Sequence, residues 1–306
     1  MVITLKSANL RTYGGFSYYE STMSSNLKIP SPWSQLALLI VSFGCALVLA
    51  GVSILLIPGV HAGQLPTGPG TIKMAQLLTS VVLFGFPAAL YALMAFRRES
   101  LQELGFRPAE RTVFYLVPVV LLLISIPLEG WLGMINKQLP LPHWMHEMEQ
   151  SKDAQVAQLL AGKRPIDLAL NLLVMAIVPG IVEEAAFRGA LQRIMIQIFR
   201  SPWAGIIVTG MIFSAFHGEF EGFLPRTVLG ILLGAAYWYS RSLWPVIIAH
   251  AVFNGIQVIA AAWYPSMVTE NPSVPIFWAL VSLALVVGLL AYMRKRTTVT
   301  YGKIYQ

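Results

Sequence analysis

The sequence predicts an all-α fold, a polytopic membrane bundle of about eight transmembrane helices around a water-accessible intramembrane cavity. Three observations carry that expectation. Apolar residues make up 56% of the 306 and charged residues only 11%, against about 25% charged in a soluble globular domain. Eight apolar runs follow one another, most of them close to the ~20 residues that a membrane helix needs. The fourth run contains Val182-Glu183-Glu184-Ala185-Ala186-Phe187-Arg188, two carboxylates and a guanidinium. Each such charge costs roughly 2.5–3.5 kcal/mol at the centre of a membrane helix. Groups so placed have to face one another, water or a substrate.

Residues 1–33 are polar and turn-rich and form an N-terminal segment with Lys6, Arg11 and Lys28 ahead of the first apolar run. That run, 36–57, spans 22 residues; it is too long for a signal-peptide core and no small-residue cleavage pattern follows it, so it reads as an uncleaved first span. A Gly/Pro-rich link over 58–70 leads to a second span at 74–96, and Arg97, Arg98, Arg107 and Arg111 decorate the next loop. The third span, 113–135, contains Pro118, Pro127 and Glu129. Residues 136–165 read as a solvated or interfacial loop; His143 and His146 lie there, but no further metal-ligand pattern follows them. The fourth run, about 168–199, carries the charged motif. The fifth, 203–216, has 14 residues and ends at His217, and the sixth, 228–239, is shorter still. A seventh span at 244–263 and an eighth at 276–293 complete a single membrane domain, 34–296, followed by a tail at 297–306.

The two short runs carry a separate inference. Apolar helices of about 10–14 residues do not cross a membrane alone, so the turn over 218–225 is expected at membrane depth. Irregular backbone is tolerated there only when buried in protein or lining a water-filled cavity. A wet pocket beside His217 follows. A helix of about 14 residues rises only ~21 Å, so His217 and His250 meet near mid-depth if the fifth helix is tilted or begins high.

The charge of +7 follows a topological pattern. On an eight-span reading, 15 of the 21 Lys and Arg fall on the side shared by both termini. The positive-inside rule makes both termini cytoplasmic, in a multi-pass protein of the inner (plasma) membrane. The bilayer is thus the expected partner of this basic chain, and nucleic acid is not. The one cysteine, Cys45, lies inside an apolar run; it reads as a small buried hydrophobe and leaves no disulfide or cysteine-ligated metal.

Three polar clusters punctuate the second half. Glu184 and Arg188 stand at i and i+4 on a helix and can pair. Glu183 lies about 140° round from Arg188 at ~100° per residue, which leaves its carboxylate unpaired. Phe213 and His217 share one helix face, as do His250 and Asn254. An unpaired carboxylate can act as a general base on water, with His217 as its second partner. His250 and Asn254 can donate to the oxyanion that forms when water attacks a peptide carbonyl. Neither a G-x-S-x-G nor an H-E-x-x-H motif is present. Two other readings use the same residues. Glu183, His217 and His250 form a possible His₂Glu zinc set; alternatively, a non-catalytic membrane immunity or binding protein would keep the packing without needing Glu183. A cofactor-free mechanism on a peptide or membrane-protein substrate is the primary expectation.

In order, the motifs E-E-x-x-x-R (Glu183, Glu184, Arg188), F-x-x-x-H (Phe213, His217) and H-x-x-x-N (His250, Asn254) resemble the CPBP family. This is the CAAX prenyl endopeptidase type 2, or Abi, family of glutamate intramembrane proteases, here in the form of a bacterial member. Similar to that family are also the stretch from Gly230 to Tyr237, the approach from Ser242 to His250, and Glu103-Leu-Gly-Phe106. The motif-bearing core covers about 165–260. The resemblance implies a CAAX-type endopeptidase in which Glu183 and His217 hold the nucleophilic water. It further implies that His250 and Asn254 form the oxyanion site, with Glu184, Arg188 and Phe213 in support. The stretch Gly218-Glu219-Phe220-Glu221 is less apolar than that family leads one to expect.

Overall fold

A computed structural model describes residues 10–13, 16–19, 26–61, 66–162, 164–264 and 273–305; Lys6 and Lys163 of the charge count lie outside them. The eight apolar runs are all helical. The helices are α1 (Pro32–Leu55), α2 (Pro69–Ala95), α3 (Ser100–Leu104), α4 (Thr112–Asn136), α5 (His143–Leu160), α6 (Pro165–Phe199), α7 (Pro202–Phe216), α8 (Phe223–Ser240), α9 (Leu243–Trp263), α10 (Ile276–Arg296) and α11 (Tyr301–Tyr305). A short antiparallel hairpin precedes them, β1 (Leu10–Tyr13) and β2 (Phe16–Tyr19), with Leu10 opposite Tyr19.

Six helices, α1, α2, α4, α6, α9 and α10, are long and apolar enough to cross a membrane. The count falls short of the expected eight because α7 has 15 residues, and α8, with 18, carries Pro225 and Arg226 in its first turn and Tyr, Trp and Ser in its last. The outward faces are apolar. Helix α1 exposes Ile40, Val41, Leu47 and Val48 while burying Leu39, Ser42, Ala46 and Ala50. Helix α10 exposes Leu280, Leu283 and Leu285 while burying Ala279, Ser282 and Val286. A helix apolar all round belongs in lipid or in a large core, and among the described residues nothing covers these faces. The chain is a multi-pass membrane protein. Cys45 is exposed, a correction to its buried reading: the inward stripe of α1 runs through Ser42 and Ala46, and Cys45 falls on the lipid side.

Helix boundaries follow local signals. Ser31 and Ser201 each accept from the backbone N–H three residues on, with Pro at the first helical position, a combination that caps orphan donors and presets φ. The 35-residue α6 contains two π-helical stretches, Leu173–Ile177 and Ala185–Gln192; such stretches often mark functional sites. The second lies directly after Glu184.

Helices α6, α7 and α8 approach closely. A Cβ on Gly230 would stand 2.9 Å from the Cα of Gly210, and one on Gly234 would stand 2.6 Å from the Gln192 side-chain oxygen. No residue larger than glycine fits either place without moving backbone or the Gln192 amide.

The reading of 136–165 as a loop is corrected: residues His143–Leu160 form α5, an 18-residue helix. Its sequence has mixed polarity, so neither a long apolar run nor a strong amphipathic face announces it. It lies against the turn between α7 and α8. At the opposite end of the bundle the loop after α3 docks on the α8–α9 turn. There Leu243 N–H donates to the Gly105 carbonyl at 2.8 Å and Glu110 N–H to the Ser240 carbonyl at 3.3 Å.

Candidate active site

Helix α6 presents the charged motif to the bundle interior. The side chains of Glu184 and Arg188 have no accessible surface. Arg188 Nη1 donates to Glu184 Oε1 at 2.8 Å, and Nη2 donates to the Gly230 carbonyl at 3.1 Å. The guanidinium carbon stands 4.6 Å from the centre of the Phe213 ring, within cation–π range. One turn on, Gln192 repeats the pattern by donating to the Gly234 carbonyl at 3.0 Å. The two glycines bring α8 near enough for both contacts.

Glu184 Oε1 has a second partner, His250 Nδ1, at 2.8 Å. A carboxylate only accepts, so the His250 Nδ1 carries the proton. Helical spacing pairs Glu184 with Arg188 alone; the bond to His250 joins residues 66 apart in the chain. Asn254 Nδ2 donates to the Met175 carbonyl at 3.3 Å, in the first π stretch of α6. The two residues read as oxyanion donors therefore both have partners, His250 through Nδ1 and Asn254 through one amide hydrogen.

Glu183 stands apart from that network. Its side chain is 9% accessible, and its Oε2 is 3.9 Å from His217 Nε2. Among the described residues this oxygen is buried with no hydrogen-bond partner. His217 lies at the end of α7, and its Nδ1 is 2.9 Å from the Phe213 carbonyl. A carbonyl accepts, so Nδ1 is the protonated nitrogen and Nε2 turns its lone pair toward Glu183. Phe213 holds the two imidazoles in place: its ring centre is 4.8 Å from that of His217 and 6.0 Å from that of His250. A gap of 3.9 Å is one that a single water can bridge. The His217 side chain remains 27% accessible, so the pair is reached from its side.

The turn after His217 is held by residues that spacing could not single out. Asn136, 1% exposed at the end of α4, donates to the Phe220 carbonyl at 2.6 Å and accepts from Leu224 N–H at 2.8 Å. Ser214 Oγ donates to the Phe223 carbonyl at 2.8 Å. From α5, Lys152 Nζ bonds the His217 carbonyl, and Glu149 accepts from Phe220 and Glu221 N–H. Arg226 and Glu219 pair across the turn. The polar stretch Gly218–Glu221 thus faces charged partners on α5 and α8. A buried amide ending an apolar run was the one available signal for Asn136.

His143 and His146 contact different carboxylates, Glu147 and Glu221, each at 3.3 Å. Among the described residues no group of three His, Cys, Asp or Glu is placed to hold a metal ion.

Residues 165–256 match a family model described as type II CAAX prenyl endopeptidase Rce1-like. A 103-residue stretch is 30% identical to an "Uncharacterized 24.3 kDa protein" of Escherichia coli, covering 31% of this chain and 46% of that protein. The similarity thus spans less than half the length of that curated relative. No solved structure matches the chain.

Proposed function

From a chain that belongs, through residues 165–256, to the Rce1-like type II CAAX prenyl endopeptidases of the CPBP family, we propose an intramembrane endopeptidase that hydrolyses its substrate with a water activated by Glu183 and His217. One observation carries the reading: a buried carboxylate oxygen of Glu183 with no hydrogen-bond partner, 3.9 Å from the lone-pair nitrogen of His217. A water between them donates one hydrogen to each. Glu183 takes its proton as the oxygen adds to the peptide carbonyl carbon. The resulting oxyanion accepts from His250 Nε2–H and from the second amide hydrogen of Asn254. His250 donates from Nε2 only as an imidazolium, and Glu184 at 2.8 Å balances that charge. Arg188 fixes Glu184, and Phe213 fixes both rings. Collapse of the tetrahedral intermediate breaks the C–N bond, and Glu183 returns its proton to the leaving nitrogen.

The zinc alternative requires Glu183, His217 and His250 around one ion, with His250 ligating through Nε2 while its Nδ1–H is held by Glu184. The proposed substrate class is a peptide or a membrane protein presented in the bilayer, and the basic bias of the sequence supports cytoplasmic termini in a plasma-membrane protein. Glu183→Gln tests the core of the reading. It keeps shape and removes the base, so cleavage should fall by about 10²–10⁴-fold, the usual contribution of a positioned acid–base group. Thermal stability should be unchanged, because the lost oxygen has no partner. Quantitative proteomics of membranes carrying wild type or Glu183→Gln identifies the substrate and gives the rate. Identical substrate processing by the two proteins would end the protease reading.

A further inference from the structure

The two ends of the bundle are unlike. At one end Lys28 N–H donates to the Ala95 carbonyl and Arg97 N–H to the Asn26 carbonyl. The C-terminal tail lies at the same end: Thr297 Oγ1 donates to the Tyr239 carbonyl, and Val299 and Ile304 pack on Trp238. Arg111 joins it there by donating to the Arg296 carbonyl. At the other end α5 covers the turn between α7 and α8, and Lys73 at the start of α2 reaches Asp167 at the start of α6. That end carries Glu147, Glu149, Asp153, Asp167, Glu219 and Glu221, and among the described residues its cations are Lys73, Lys137, Lys152, Arg164 and Arg226.

The Glu183–His217 pair communicates with only one of these ends. Toward the termini, Glu184, Phe187, Arg188 and Gln192 on α6 have no accessible surface. On α9 the residues Leu243, Val246, Ala249 and His250 are at most 2% exposed. A group arriving from the terminal end would have to part the Glu184–Arg188 pair and strand two buried charges. Toward α5 the packing is open. Every residue from His217 to Val228 keeps part of its surface accessible, and the side chains of Lys152, Glu219 and Arg226 around the opening do so as well.

We propose that the pair is loaded from the α5 end, and that its substrates are extended peptide segments presented on the outer, non-cytoplasmic side of the membrane. The hydrolase reading given above supplies what happens at the pair; the new element is the side from which the peptide arrives. Two independent observations support it. Burial closes the terminal end, and 15 of the 21 Lys and Arg fall on the side of the termini, which retains that end in the cytoplasm. Exported peptides and the outer loops of membrane proteins meet the requirement, whereas a cytoplasmic tail does not.

Cysteine accessibility tests the side of entry without using catalysis. The one cysteine of the chain, Cys45, lies on the lipid side of α1, so Cys45→Ser gives a thiol-free protein. Single cysteines are then introduced as His217→Cys at the pair, Asp153→Cys on α5 and Lys295→Cys at the terminal end of α10, the last two at exposed positions. A charged, membrane-impermeant methanethiosulfonate is applied to right-side-out and to inverted vesicles that carry the full chain. His217→Cys and Asp153→Cys should be modified in right-side-out vesicles and lose that modification in inverted ones, and Lys295→Cys should do the reverse. Glu183→Cys, at the other member of the pair, replaces His217→Cys if that variant does not accumulate. Modification of the pair position only in inverted vesicles overturns the proposal, as does modification on the same side as Lys295→Cys or on neither side. The substrate class has its own readout: cleavage sites lost in Glu183→Gln membranes should map to non-cytoplasmic segments, and sites in cytoplasmic tails would overturn it. Unchanged processing in Glu183→Gln together with outward labelling would refute the hydrolase reading and leave the side of the pocket established.

Discussion

The buried network around Glu184 makes a quantitative claim that Arg188→Met can test. Methionine fills the space of the arginine stem over Phe213 but takes the positive charge from a carboxylate whose side chain has no accessible surface. Breaking a buried pair by deleting one partner costs about 3–5 kcal/mol, because the remaining charge stays buried. Arg188→Met combined with Glu184→Gln removes that orphaned charge, and the glutamine oxygen still accepts from His250. What remains is the Gly230 carbonyl without its donor, a loss of about 1–3 kcal/mol. The double variant should therefore recover about 2 kcal/mol, a factor of roughly 30 in the folded-to-unfolded ratio. At about 2 °C per kcal/mol for a chain of this size, the single variant should melt about 6–10 °C below wild type and the double about 4 °C above the single. The assay is a melt in detergent followed by size-exclusion fluorescence, with cleavage measured per folded molecule. Both variants should be inactive, since His250 loses the Arg188-anchored carboxylate that orients its ring. A double variant as unstable as the single would refute the reasoning; the loss would then arise from packing around Phe213 and not from an uncompensated charge.

Asn136→Ala removes both hydrogen bonds that pin the 220–224 turn; we expect a loss of about 1–3 kcal/mol in the melt, together with a fall in turnover that exceeds any change in substrate affinity, because His217 is carried by that turn. Cleavage should survive exhaustive chelation, with metal content measured on the purified protein by elemental analysis; loss of activity rescued by zinc alone would favour the His₂Glu reading. Reporter fusions after His61 and after Lys303 should report opposite compartments, as a cytoplasmic C-terminus and a first uncleaved span require.

Hydropathy made the helices legible because an apolar run of membrane length has one stable fate in lipid. The boundaries read from the sequence fall within a few residues of the observed ones for all eight runs. Helix α5 escaped the same reading, since its partner is a polar turn: Lys152, Glu149 and His146 are satisfied by His217, Phe220 and Glu221 and not by lipid or a hydrophobic core. Mixed polarity of that kind has no period to detect.

The candidate site divides along the same line. The pairing of Glu184 with Arg188 and the isolation of Glu183 depend on geometry within one helix, and spacing predicts them even where the helix widens into a π turn. The bond between Glu184 and His250 depends on how α6, α7, α8 and α9 pack. That packing is set by glycines at 210, 230 and 234, whose missing side chains let backbones meet at distances no other residue permits. Glycine in an apolar run is silent in hydropathy, yet here it decides which carboxylate receives the histidine. Were Gly230 any larger, α8 would move away from α6, Arg188 would lose the carbonyl it donates to, and Glu184 would lose its anchored partner. The division of labour between adjacent carboxylates, Glu184 held by Arg188 and His250 and Glu183 left facing His217, is therefore a consequence of helix approach as much as of charge.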